Sequence, residues 1–375
     1  MRKTLILTVI TLLMMIFLAS CGTTVGINTL VPSVVNMTGY KTVAVASVKP
    51  YDGSWAYKDR NYPEIRYDQY TIPTPDSLVR LINGVDWSVP AEDTAEYITK
   101  IVEKGVDQGF YTVLGARTTD RLIRSAGRTT TVRQVLLDEK VDALVTGAVT
   151  DQRIRSYITA EVRTGADKRN SFYYYLNWSA SLRYEYTVQD VNSLSIIDTY
   201  PFERSYSDSF LIGYLTPDGD FIFSSSVSNS TFDFSSRFRS MSDNFERVIR
   251  DRLTPHYAKS NLSLAANESK DESLEPGYKY AENNMYREAC EVFEKHWNTY
   301  RDFVSGYNTA VLYYACGRPD EAITLANEVF KATGNDKALK LNRELVNLYE
   351  TNKAGQAQVE GNKTTSVSPQ QDVIL

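Results

Sequence analysis

Groups able to do chemistry are sparse in this chain and seldom fall at useful spacing. Its 375 residues include two histidines, His256 and His296, and three cysteines, Cys21, Cys290 and Cys316. Neither histidine has a cysteine or a second histidine at metal-ligand spacing, so no metal and no cofactor is expected. His256 follows Pro255 at the end of one helical pattern and His296 lies within another, as structural or surface histidines do. The sequence has no glycine-rich phosphate loop ending in lysine and no Gly-x-Ser-x-Gly elbow. Two carboxylate pairs, Asp218 with Asp220 and Glu92 with Asp93, are of the residue type that flanks a scissile glycosidic bond. Each has a simpler reading. Asp218-Gly219-Asp220 follows Pro217 as a turn does, and Glu92-Asp93 opens a helical pattern, where the macrodipole favours acids. A hydrolase of cell-wall glycan therefore ranks last among three function classes, and the chain is expected not to be an enzyme.

Cys21 is the exception, because its surroundings specify a reaction. Arg2 and Lys3 precede the apolar run Leu5–Leu18, which is shorter than the roughly 20 residues of a spanning helix, and small residues follow. Leu18-Ala19-Ser20-Cys21 resembles the bacterial lipoprotein lipobox, in which a peptidase cuts before the cysteine that receives the lipid. The resemblance implies a signal peptide over 1–20, a mature chain beginning at lipidated (palmitate-bearing) Cys21, and contact with a membrane through that lipid. Gly22 stands where many inner-membrane lipoproteins carry a retaining aspartate, so the outer membrane, facing the periplasm, is the expected address.

Removing residues 1–20 takes away Arg2 and Lys3, two cations and no acid, which moves the net charge from −5 to −7. With no long basic run, nucleic acid is excluded as a partner. The length suits two domains. Residues 21–40, rich in Gly, Thr, Asn and Pro, read as a tether. Val43-Ala-Val-Ala46 reads as a strand covered on both faces, and 50–90, broken by five prolines and Gly53, as a long insertion. An amphipathic helix follows over 92–108, then a short strand at 110–114, helices near 118–125 and 131–139, and a second buried strand at 141–147. Beyond it, Trp178, Ala180, Leu182, Tyr184, Tyr186 and Val188 alternate with polar residues, so one face is buried and one wet; 194–200 closes a hairpin that Pro201 should end. Residues 205–239 show no clean period. Ser240 and Asp243 look like a capping box for a helix closed by Pro255. The expected fold class is α+β: an α/β, sandwich-like domain with a mixed sheet over 41–258, a linker over 259–274, an all-α domain over 275–350 and a disordered tail over 351–375.

The order of the lead strand Thr42–Ser47, Phe110–Leu114, Val141–Ala148 and the hairpin with Tyr186–Asp190 and Ile196–Asp198 resembles an α/β domain of three envelope groups. These are the curli-secretion lipoprotein, the lipoprotein activators of penicillin-binding proteins and the amino-terminal domain of the Tol β-propeller protein. The resemblance covers 40–258 and implies an assembly or adaptor role without catalysis.

In the last third, Gly277, Tyr280, Ala289 and Phe293 recur 33 residues later as Ala310, Tyr313, Ala322 and Ala326. This spacing is close to the tetratricopeptide repeat of about 34 residues, and Gly317-Arg-Pro-Asp-Glu-Ala322 resembles its inter-helix turn. Two repeats and a capping helix are expected. In that family Tyr278, Tyr307, Asn308 and Tyr314 would line the concave face, which makes them candidate peptide-binding residues. Leu274 and Tyr278 depart from the family's carboxylate clamp. Cys290 and Cys316 fall on neighbouring helices, either bonded as a disulfide or left as buried thiols. The leading expectation is a lipid-anchored, non-catalytic adaptor that meets envelope proteins through both domains. The alternative is an oligomeric secretion pore in which 170–188 or 205–239 supply membrane hairpins.

Overall fold

The computed structural model describes residues 23–52, 64–66, 72–85, 87–127, 130–225, 227 and 232–364. The signal segment 1–20, Cys21, parts of the 50–90 insertion and the tail beyond 364 lie outside the described residues. The fold is α+β, and the chain divides into two compact units, Ser33–Thr254 with Gly361–Leu375, and Met1–Pro32 with Pro255–Glu360.

In the first unit a mixed sheet is built on β2 (Thr42–Val45), which pairs in parallel with β4 (Thr112–Leu114) on one side and β5 (Ala143–Thr164) on the other. The apolar run of β2 is explained by cover on both faces. Val43 and Val45 join a core with Ile98, Val102, Phe245 and Ile249, while Ala44 and Ala46 pack with Leu136, Val141 and Leu144. Helices α2 (Ala91–Val106), α5 (Phe234–Ser242) and α6 (Asn244–Leu253) cover the first face. On the second face lie α3 (Ala116–Ser125) and α4 (Val132–Asp138).

From β5 the sheet continues as an antiparallel meander through β6 (Asn170–Asp190), β7 (Ile196–Leu215) and β8 (Phe221–Phe223). Strands of 22, 21 and 20 residues span about 70 Å each at roughly 3.3 Å per residue. The alternation in β6 is realised: Trp178, Leu182, Tyr184 and Val188 are at most 3 % exposed, whereas Ser179 and Arg183 face outward. The strand expected at 141–147 is only the start of β5, and 205–215 belongs to β7. Pro201 does not end β7. Opposite Glu185 it sits where β7 has no strand on its outer side among the described residues, since β8 reaches only Gly213–Leu215, and an edge accommodates a residue without an N–H. Gly147 is required by packing, because a Cβ there would lie 2.5 Å from the Tyr184 ring. The capping box at Ser240 and Asp243 is also corrected. Two helices meet at Asp243, and the cap is Asp233, whose side chain accepts from Ser236 N. Within the 50–90 insertion, β3 (Glu64–Ile65) pairs with β5 and α1 (Asp76–Gly84) with Trp87 adds to the core.

The second unit corrects three boundaries. Residues 24–31 are not a tether. They form β1 (Thr24–Val31), antiparallel to β9 (His256–Ser263), from Thr24 opposite Ser263 to Val31 opposite His256. Val25, Ile27 and Thr29 all point into the unit, a period of 2 too short to stand out among glycine and asparagine. The linker's first residues are therefore strand, and Leu262, Leu264 and Leu274 enter the core. Helices α7 (Glu275–Glu282), α8 (Tyr286–Tyr300), α9 (Phe303–Ala315) and α10 (Pro319–Thr333) follow, then α11 (Asp336–Thr364). The last is a long helix through residues expected to be disordered. Gly355 lets α11 approach the Leu30 carbonyl, which a Cβ would meet at 2.4 Å. Of the pairs 33 residues apart, Ala289 with Ala322 and Phe293 with Ala326 are fully buried, and the Phe293 ring occupies the space left by Gly277. Tyr280 is exposed where Tyr313 is buried.

Candidate binding surface

The four residues expected to line one peptide-binding face occupy three places. Asn308, on α9, is fully buried; its Oδ1 accepts from Ala265 N at 2.7 Å, while Nδ2 donates to Ala265 O at 3.1 Å and to the Tyr278 hydroxyl at 3.0 Å. Tyr278 on α7 donates its hydroxyl to the same Ala265 carbonyl, and burial pushes its pKa up to about 12. These two side chains do grip a backbone, but it is the chain's own, just beyond β9. Tyr307 packs on Phe303 at 5.3 Å between ring centres, and burial, helped by Glu344, raises its pKa.

Tyr314 borders a cleft of about 560 Å³, within the range of ligand sites, together with Gly26, Asn28, Tyr349, Asn352 and Gln356. The walls come from β1, the end of α9 and the middle of α11, and these five partners include no charged side chain. Asn352 fixes one end, its Oδ1 accepting from Leu30 N at 3.0 Å. A second groove of about 370 Å³ is acidic, with Glu294, Asp320, Glu321 and Glu328 beside Tyr313 and Arg301. Tyr313 donates to Glu294 at 2.7 Å, and Arg318 lies over its ring at 3.8 Å.

Sequence reasoning missed the polar node under this unit. His296 is a tenth exposed and stands between two carboxylates, Nδ1 2.8 Å from Asp302 and Nε2 3.0 Å from Asp271. Asp302 caps α9 through Ser305 N at 3.0 Å; burial works against ionisation there, and the Ser305 and His296 bonds still hold the carboxyl below its ordinary range. The Ser273 hydroxyl and amide, with His296, hold Asp271 down at about 2. The only linear hint is the Asp271-x-Ser273 turn. Both remaining cysteines are free thiols, Cys290 buried and Cys316 half-buried, so of the two states weighed for the pair the disulfide is not the one formed; burial pushes Cys290 up to about 12.

The carboxylates weighed for acid and base work have other employment. Asp93 pairs with Arg239 at 2.7 Å and Asp218 with Arg169. A denser network joins α6 to β7: Arg252 Nη2 to Asp198 Oδ1 at 2.7 Å, Arg252 Nε to the Tyr186 hydroxyl at 3.0 Å, and that hydroxyl to Asp198 Oδ2 at 2.7 Å. Hydrogen bonding to Asp198 raises the Arg252 pKa.

No family model matches the chain, and no curated protein matches it. Among solved structures, it is similar to the PelC dodecamer from Paraburkholderia phytofirmans at 12 % identity over 62 % of this chain and 99 % of that one, with a TM-score of 0.23. It is similar to lipoprotein GNA1162 from Neisseria meningitidis at 10 % identity over 56 % and 99 %, with a TM-score of 0.22. For the LpoB C-terminal domain from Salmonella enterica the values are 6 %, 44 % and 83 %, and 0.18. TM-scores this low do not establish a common fold.

Proposed function

We propose that the protein is a lipid-anchored, non-catalytic adaptor of the bacterial cell envelope. Cys21 holds it to the outer membrane facing the periplasm, and both units meet protein partners, the helical one as a tetratricopeptide-like module. The observation that carries this reading is the cleft at Tyr314, whose named walls are neutral amides, tyrosines and strand backbone, a lining suited to another polypeptide. The second support is the meander. Its apolar face lies under α2, α5 and α6, and its other face carries Arg153, Arg155, Arg183 and Glu185, a distribution suited to a covered sheet and unlike the lipid-facing strands that a secretion pore needs. Among the described residues no helix is long and apolar enough to cross a membrane, so attachment in this reading rests on the lipid.

Crosslinking in intact cells, followed by membrane fractionation, tests the proposal. The wild-type chain is expected in the outer-membrane fraction joined to one or a few envelope proteins, and Cys21→Ser protein to be released from that fraction. Ring formation and leakage of dye from liposomes by the Cys21→Ser chain would contradict it and favour the pore.

A further inference from the structure

We infer that the outer edge of β1 is a docking site for an extended polypeptide, which adds to the β1–β9 pair as a third strand within the Tyr314 cleft. The inference rests on the adaptor reading and names the site and partner chemistry of the helical unit.

In an antiparallel pair, successive residues alternate between bonding their partner strand and pointing their N–H and C=O away from it. The phase of β1 is set at both ends. Leu264 N donates to Thr23 O at 2.8 Å, which turns Thr23 toward β9, and so by alternation Val25, Ile27 and Thr29. Leu30 N points the other way, to Asn352 Oδ1 at 3.0 Å. Gly26 and Asn28 share the phase of Leu30, so both of their backbone groups face outward, and both residues line the cleft. Neither outward pair has a hydrogen-bond partner among the described residues.

The side chains around this edge favour main-chain recognition. Asn352 already does at Leu30 what a third strand would do, presenting an amide oxygen to an outward N–H. Gln356 offers a second amide, while Tyr314 and Tyr349 present flat apolar surface with a polar tip. Outward groups two residues apart repeat at about 6.7 Å, the pitch of an incoming strand, and strand addition draws affinity from the backbone and selectivity from pockets beside it. The occupant is thus a short extended segment of a partner protein, with uncharged side chains toward the cleft.

The probe is a displayed library of random octapeptides selected on the full chain, followed by synthesis of the enriched sequences. Enriched peptides are expected to slow amide exchange at Gly26 and Asn28 while leaving Ile27, already bonded to β9, unchanged. Methylating the two peptide nitrogens that face β1 should weaken binding about 30-fold. Asn28→Pro removes one edge donor at a position that does not bond β9. It should weaken binding at least several-fold, and Tyr314→Ala, which changes no residue of β1, should weaken it as well. Enrichment no better than on Asn28→Pro protein, or enriched peptides that protect no β1 amide, would overturn the inference. If intact-cell crosslinking still recovered partners from Asn28→Pro protein at wild-type yield, the adaptor reading would stand and this edge would not be the site.

Discussion

Two strand edges among the described residues, on β7 and on β1, are built differently. On β7 the edge runs from Ile196 to Leu211 before β8 begins, and it carries Pro201, Glu203, Arg204 and Asp208, residues that discourage another strand from pairing. The β1 edge is short, uncharged and recessed in a cleft that supplies amides and aromatic rings. One edge is defended and the other is furnished. Exposure alone therefore does not mark a binding strand; the side chains flanking the free backbone do.

The largest effect should come from dismantling what holds β7 in place. Arg252→Ala leaves Asp198 and Tyr186 without their cation in a site where Arg252 is 23 % and Asp198 10 % exposed. A loss of about 3 kcal/mol is expected in urea unfolding of the α/β unit, typical of removing one member of a buried pair. On the β1 side, Asn308→Ala strands the Ala265 N–H, leaves the Ala265 carbonyl to Tyr278 alone, and should cost about 2 kcal/mol in the helical unit, measured by thermal unfolding. A weaker effect tests the defence itself: replacing Glu203 and Asp208 together with Val should leave stability near wild type and raise self-association with concentration in light scattering.

Acid should act on the helical unit through Asp271. Its folded value of about 2 lies below the ordinary aspartate value near 3.9, so the stabilisation is present above about pH 4 and is lost as the pH falls toward 2. The melting-temperature gap between wild-type and Asp271→Asn protein should therefore be widest above pH 4 and close with acidification. Smallest of all, alkylation at pH 8 should reach half-buried Cys316 before buried Cys290.

Much of the fold was legible because burial imposes a period. Val43–Ala46, the helix near Ile98–Val106 and the alternation from Trp178 to Val188 each fall where their pattern places them. What the pattern hid are features set by long-range pairing. β7 passes through Pro201 because that stretch is an edge, and β1 looked like a tether because its partner lies more than 200 residues away. The candidate site was half legible. Asn308 and Tyr278 are of residue types suited to gripping a foreign peptide, whereas the fully buried Asn308 amide at Ala265 serves the chain's own backbone. Tyr314 was found, but Gly26 and Asn28 carry no signal in their side chains, since their contribution is main-chain phase.

The most direct measurement is amide exchange at Asn28 in protein isolated from membranes with and without its crosslinked envelope partner. The account expects slowed exchange at Asn28 and Gly26 in the complex and no change at Ile27. Equal exchange at Asn28 in both samples would contradict it.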